Sequence, residues 1–183
     1  MWTIPNILTL SRILVIPVLV ASFFLEQPLG SHIAFITFAL AGITDFFDGY
    51  LARATGSVSK IGVFLDPIAD KLMVAAVIVM VVFAQWVHGV HVIAAVIIMC
   101  RELLVSGLRE FLAGAQVSVP VTVLAKWKTT VQMIALGMLV WSRGAVEFGL
   151  PAQEVGIAAL WIAAVLTLYT GYDYLRAGLK HMV

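Results

Sequence analysis

Charge is scarce in this chain. Of its 183 residues only 11% are Asp, Glu, Lys or Arg, against 62% hydrophobic, and the mean hydropathy is +1.07. A soluble domain of this size does not need so much apolar surface, so the composition reads as a polytopic membrane protein. Cysteine is nearly absent as well. Cys100 is the only one, which excludes an intramolecular disulfide, and within its apolar run it reads as a small packed core residue. No zinc-type set of cysteines and histidines is present. The four histidines, His32, His88, His91 and His181, fall at predicted helix ends or in the tail and read as solvated. A net charge of +1 offers nothing to nucleic acid, so no nucleic-acid partner is expected. The amino terminus lacks a basic n-region, and its apolar run continues too far for a signal-peptide core. It reads as a first membrane span.

What the chain has in abundance is apolar runs long enough to cross a bilayer, which takes roughly 20 residues. The periodicity and turn residues predict an all-α fold, a bundle of six transmembrane helices over residues 4–25, 31–54, 61–86, 90–113, 121–141 and 151–175, in one domain covering 1–183. Asp66-Pro67 suits an early turn of the third helix, where proline loses little. Lysine and arginine set the orientation. With the amino terminus in the cytoplasm, Arg53, Lys60, Lys71, Arg109, Lys126, Lys128, Arg176 and Lys180 all fall on or near the inner side. The opposite connections hold only Arg143. Trp86 and Trp141 then mark the outer boundary and Tyr169, Tyr172 and Tyr174 the inner one, as an aromatic belt does. Asp173, near the inner end of the last helix, is expected to pair with Arg176.

Against this background four aspartates stand out: Asp45 and Asp48, then Asp66 and Asp70. Carboxylates in a membrane segment are expensive and call for a function. Spacings of three and four put each pair on one helix face, and both pairs fall at the same cytoplasmic depth. Four converging carboxylates cannot all stay ionised without cation compensation. Oxygen-only ligation suits Mg²⁺ or Mn²⁺, and a nearby arginine suits phosphate, so the cluster reads as a divalent-metal site that handles phosphates. The bland alternative is interhelical salt bridges to Arg53, Lys60, Lys71 or Arg101. Gly49 and Gly62 allow close approach of a substrate or a backbone, Ala52 leaves room, and Arg53 presents a planar fork for phosphate.

The whole pattern, Asp45-x2-Asp48-Gly49-x2-Ala52-Arg53-x8-Gly62-x3-Asp66-x3-Asp70, resembles the signature of the CDP-alcohol phosphotransferase family at all eight defined positions. Similarity to the branch that uses glycerol 3-phosphate extends through Ile4–Arg12, Phe64–Lys71, Arg101–Glu110 and Lys126–Thr130. The resemblance implies that Asp45, Asp48 and Asp66 hold a pair of divalent ions against the diphosphate of a CDP-lipid, with Asp70 as the general base or a further metal ligand. It implies that Gly49, Ala52, Arg53 and Gly62 shape the nucleotide pocket. It also implies a homodimer in the bacterial inner (cell) membrane, using CDP-diacylglycerol and glycerol 3-phosphate and yielding phosphatidylglycerophosphate and CMP.

An anionic acceptor needs cations. Arg109, Lys126 and Lys128 gather near the inner ends of the fourth and fifth helices and are candidates for its phosphate, with positive-inside topology and lipid contact as the other reading. Arg101 and Glu102 are candidates to pair with each other or with carboxylates around the site. In the first helix Asn6, Thr9 and Arg12 form a polar stripe. Thr9 and Arg12 are candidates for the nucleotide or the acceptor phosphate, or for helix-packing hydrogen bonds. Serine, inositol phosphate or phosphatidylglycerol are the alternative acceptors, and the basic cluster disfavours serine. A divalent-cation transporter is a remote alternative, because the carboxylates cluster at one depth rather than at the midplane of both halves.

Overall fold

The computed structural model describes residues 4–55, 60–114 and 122–179; within them the side chains at 4–7, 46, 48–55, 60, 61, 63 and 66 lie outside the description. The described residues form six α-helices and one short 3₁₀ turn: α1 (Ile4–Ser22), α2 (Leu29–Thr55), α3 (Lys60–Phe83), α4 (His91–Gly114), α5 (Val123–Ala145), the turn Val146–Phe148, and α6 (Ala152–Leu179). Every helix end falls within four residues of its sequence expectation. Three of these helices, α4, α5 with its turn, and α6, are long and apolar enough to cross a membrane; α1 and α2 carry shorter apolar stretches, Leu8–Ser22 and Leu29–Asp45.

α5 packs most extensively on α6, α6 also on α4, α2 on both α1 and α5, and α1 on α3. In lipid, apolar side chains gain little by leaving their solvent, so helices associate by close packing of small residues. The core follows that rule. Ala34, Ala94, Ala95, Ala135, Ala163 and Ala164 are buried alongside Leu19, Val77, Ile98, Leu136 and Leu139. Gly156 lets α6 meet α5 so closely that a Cβ there would sit 2.9 Å from Leu139 Cγ. The large apolar residues Leu14, Val18, Leu40, Val79, Ile93, Val96, Leu103, Val165 and Leu168 face outward, as a bilayer solvent allows.

Several local expectations change. Cys100 is exposed, on the same outward stripe of α4 as Ile93, Val96 and Leu103, rather than packed in the core. Pro67 lies in the third turn of α3, because the helix begins at Lys60; the helix runs through it, and the Lys71 ammonium donates to its carbonyl at 3.0 Å. Trp86 is buried, its ring tilted against Phe23 with the centroids 4.9 Å apart, so it closes the core instead of marking a lipid boundary. His32 and His91 are not simply solvated. The Trp141 indole donates to His32 Nδ1 (3.2 Å), whose Nε2 lies 3.0 Å from Glu147, and the Trp161 indole donates to His91 Nδ1 (3.0 Å). No ion pair joins Asp173 to Arg176 among the described residues; both side chains are exposed. Beside His32, the Ser31 hydroxyl donates to the Val140 carbonyl (2.6 Å) and accepts from the Gly144 amide (3.2 Å), which fastens the start of α2 to the end of α5.

Candidate active site

The opposite end of the bundle carries the polar residues. Asp45 lies sixteen residues beyond Leu29, about 24 Å along the α2 axis at 1.5 Å per residue, so it sits well away from the Ser31–His32 end. Neighbouring helices run in alternate directions and bring to this level the starts of α1, α3 and α5 and the later turns of α4 and α6. Two clefts open here. The first, about 620 Å³, lies among α3, α4, α5 and α6 and is lined by Asp70, Lys71, Arg101, Glu102, Arg109, Glu110, Lys128, Thr129 and Tyr174, with Pro67, Val105 and Ser106 among the rest. The second, about 710 Å³, runs between α2 and α5. Its lining is chiefly apolar, with Phe35, Phe38, Met73, Met133, Ile134 and Met138, but Arg12, Asp45 and Asp70 are at its polar end. Asp70 and Thr129 belong to both.

Interhelical ion pairs organise the charges. Arg12 of α1 is buried and pairs with Asp45 of α2, whose own side chain is half exposed. Arg12 Nη2 also donates to the Thr9 hydroxyl at 3.4 Å, one turn earlier on the same helix. Lys128 of α5 is buried and pairs with Glu102 of α4; the same carboxylate oxygen lies 3.7 Å from Arg101 Nη1. Arg101 is held from the other side by α6. Its Nη2 donates to the Thr170 hydroxyl at 3.0 Å, and its guanidinium carbon lies 5.9 Å from the centre of the Tyr174 ring. The Thr170 hydroxyl donates in turn to the Leu166 carbonyl at 2.8 Å. Gly171 makes room, since a Cβ there would come within 3.1 Å of Arg101 Cγ. Buried charges are tolerated only when paired and hydrogen-bonded, and each of these has a partner from another helix.

The residues singled out in sequence are distributed as follows. Asp45 and Asp70 share the wall of the second cleft, and Arg109 and Lys128 share the first. Lys126 is exposed and lines neither cleft; the Thr130 hydroxyl donates to its carbonyl at 3.2 Å, as their four-residue spacing allows. Gly62 is buried near the start of α3. Asp48, Gly49, Ala52 and Arg53 lie on α2 and Asp66 on α3, with side chains outside the described residues. Among the described residues no three His, Cys, Asp or Glu side chains converge on one point.

Thr170 and Ser106 were missed in sequence, Thr129 entered only as part of the Lys126–Thr130 segment, and Tyr174, expected in the inner aromatic belt, is instead buried against Arg101 at the polar cleft. The signal for Thr170 and Tyr174 was present: Thr167, Thr170, Gly171, Tyr174 and Gly178 recur at helical spacing along one face of α6, and all five are buried. Such a stripe of small and polar residues marks the side that meets another helix rather than lipid.

This bundle, with a carboxylate-bearing cleft at one end and a signature intact at every defined position, belongs to a defined class of membrane transferase. A family model described as CDP-alcohol phosphatidyltransferase matches residues 2–169, and the chain belongs to that family. Enzymes of the family generally depend on a divalent metal. Among its relatives, a protein of Rickettsia bellii is 49% identical over 179 residues, covering 97% of this chain and 96% of its own length. A relative from Cereibacter sphaeroides is 39% identical and covers 99% of this chain and 97% of itself. Another, from Haemophilus influenzae, is 39% identical over 96% of this chain and 92% of itself. All three bear the name CDP-diacylglycerol–glycerol-3-phosphate 3-phosphatidyltransferase.

Proposed function

We propose that the chain transfers the phosphatidyl group of CDP-diacylglycerol to the primary hydroxyl of sn-glycerol 3-phosphate, giving phosphatidylglycerophosphate and CMP. The observation that carries this reading is near-full-length identity of up to 49% to relatives of that name. The meeting of two unlike clefts at Asp70 supports it. The apolar cleft between α2 and α5 suits a lipid donor, and the polar cleft suits a small phosphorylated alcohol.

In the step itself the acceptor oxygen forms a bond to the phosphorus that carries the diacylglycerol. The phosphoanhydride bond to the cytidylyl phosphate breaks, and CMP leaves with the bridging oxygen. Asp70, on the wall of both clefts, takes the hydroxyl proton as general base. Arg53, with Gly49, Ala52 and Gly62, binds the cytidylyl diphosphate, and Thr9 orients Arg12 beside it. Arg109 and Lys128, on the wall of the polar cleft, bind the acceptor phosphate; Arg12, at the polar end of the other cleft, faces the donor side, and Lys126, exposed and outside both clefts, adds at most a screened surface charge.

The donor set fits a hard divalent cation. Asp45 and Asp70 offer only carboxylate oxygens to one cleft, and the half-exposed Asp45 keeps an accessible face beyond its pairing with Arg12. Asp48 is one turn from Asp45 and Asp66 one turn from Asp70, so the four would hold Mg²⁺ or Mn²⁺, with two ions the expected number. When bound, the metal supplies positive charge against the diphosphate and the departing CMP.

The charge bias of the termini and connections favours six spans in a bacterial inner membrane with the clefts toward the cytoplasm, as one domain over 1–183. The assembly implied is a homodimer, which cross-linking in native membranes tests. The activity is tested by measuring CMP release from CDP-diacylglycerol with a panel of alcohols. Glycerol 3-phosphate is expected to be the acceptor used, and turnover with serine or inositol phosphate in its place would refute the assignment.

A further inference from the structure

The Glu102 carboxylate occupies the place where an anionic acceptor is expected. It pairs with Lys128 and stands 3.7 Å from Arg101, and both cations line the polar cleft. All three side chains are largely withdrawn from solvent, at 4% exposure for Lys128, 11% for Arg101 and 19% for Glu102. One carboxylate does not fill this donor set. An ammonium has three N–H groups and a guanidinium five. Among the described residues Lys128 hydrogen-bonds only Glu102, Arg101 donates one hydrogen bond, to Thr170, and Arg101 Nε is buried with no partner. The lining as a whole offers four cations, Lys71, Arg101, Arg109 and Lys128, against the carboxylates Asp70, Glu102 and Glu110.

We propose that Glu102 is the resident counter-anion of the acceptor-phosphate site: it holds Lys128 and Arg101 in place while the site is empty and yields them to the acceptor phosphate on binding. The proposal rests on the acceptor reading of Lys128 given above. Its physical basis is competition. A phosphate and a carboxylate cannot both occupy the same ammonium at contact distance without mutual repulsion, and without any anion two buried cations would face each other uncompensated. Glu102 therefore tunes acceptor affinity through Lys128. It is a positioning residue and touches no reacting atom.

The sign of the effect separates this role from a simple structural brace. Glu102→Gln keeps the shape and removes the charge. The phosphate then no longer displaces a competing anion, and the Michaelis constant for glycerol 3-phosphate should fall about tenfold, the equivalent of one charge-assisted contact. The inhibition constant of inorganic phosphate against that substrate should fall in parallel, with the constant for CDP-diacylglycerol unchanged. Glu102→Asp, which keeps the charge on a shorter stem, should fall between Gln and the native protein. It also serves as the test if the Gln variant does not fold. Lys128→Gln is measured beside them. A rise in the glycerol 3-phosphate constant for Lys128→Gln with a fall for Glu102→Gln supports the proposal. A rise for both, or no change for Glu102→Gln, overturns it and leaves the proposed activity standing. No change for Lys128→Gln removes the acceptor site from this cleft, and the role of Glu102 with it.

Discussion

Lys126 and Lys128 are two residues apart on α5, yet the fold separates them. Lys128 lines the polar cleft with its side chain 4% exposed, while Lys126 is exposed and lines neither cleft. Replacing each by Gln removes the same charge from two different surroundings. For an ammonium as buried as that of Lys128, losing a charge-assisted hydrogen bond to phosphate costs about 1.5–3 kcal/mol, or roughly ten- to a hundredfold in affinity. An exposed charge is worth about 0–1 kcal/mol, less than about fivefold, and is screened by salt. Lys128→Gln should therefore raise the Michaelis constant for glycerol 3-phosphate at least tenfold and Lys126→Gln barely at all. Glu102 keeps Arg101 at 3.7 Å in the Lys128 variant, so the carboxylate is not stranded and the bundle should still form. The assay is CMP release in detergent–lipid micelles, with each substrate varied in turn. The constant for CDP-diacylglycerol is the control for general damage and should stay near its native value. Arg53→Gln should give the reverse pattern, because Arg53 is assigned to the donor diphosphate. A Lys126 effect as large as that of Lys128, or equal movement of both constants in the Lys128 variant, would refute the separation of sites.

Activity should require Mg²⁺ or Mn²⁺ and vanish in excess chelator, and Asp45→Ala should raise the metal concentration for half-maximal rate; full turnover in chelator would remove the metal from the reaction. Asp70→Asn should lower turnover about 10²–10⁴-fold while leaving CDP-diacylglycerol binding nearly intact, measured by equilibrium binding beside the rate; a normal rate would assign the proton to another group. Thr170→Val removes the hydroxyl that accepts from Arg101 at 3.0 Å while nearly keeping its volume. The loss of a hydrogen bond to a charged donor predicts about 1.5–3 kcal/mol of destabilisation, read from thermal unfolding in detergent, and an unchanged midpoint would mean that α6 does not hold Arg101.

Helix existence and ends were legible because apolar runs of bilayer length are interrupted only by turn residues, as at Glu26–Gly30. The signature was legible because its spacing is helical and its residues are costly in lipid. The pairing of charges was harder to read. Arg12 meets Asp45 across 33 residues and Lys128 meets Glu102 across 26, and no periodicity within one helix announces which neighbour it faces. The bland reading of the aspartates considered Arg53, Lys60, Lys71 and Arg101 as partners, all closer in sequence to the aspartates or on the helices after them. The partner found for Asp45 comes instead from α1. Trp86 and Cys100 went the other way for a related reason. Composition says that both belong near lipid or core, and only the rotation of α4 and the fold of the segment after α3 decide which.

The ion pairs also explain how a site of this kind can exist at membrane depth. Every charged side chain drawn from water must be met by an opposite charge or a hydrogen-bonding group, and here the ion pairs Arg12–Asp45 and Lys128–Glu102 join α1 to α2 and α5 to α4, while a hydrogen bond from Arg101 to Thr170 joins α4 to α6. On the proposed reading, contacts that hold the helices together are also the contacts that a bound diphosphate or phosphate would rearrange. On that reading an entering phosphate takes the place of a carboxylate beside a cation already withdrawn from water, so much of that cation's desolvation is met before substrate arrives. Asp70 stands where the two clefts join, exposed, on the wall of both, and with no ion-pair partner among the described residues. A carboxylate so placed can meet a hydroxyl delivered from the polar side and a phosphorus delivered from the apolar side, which is the geometry a transfer between a lipid and a water-soluble alcohol requires.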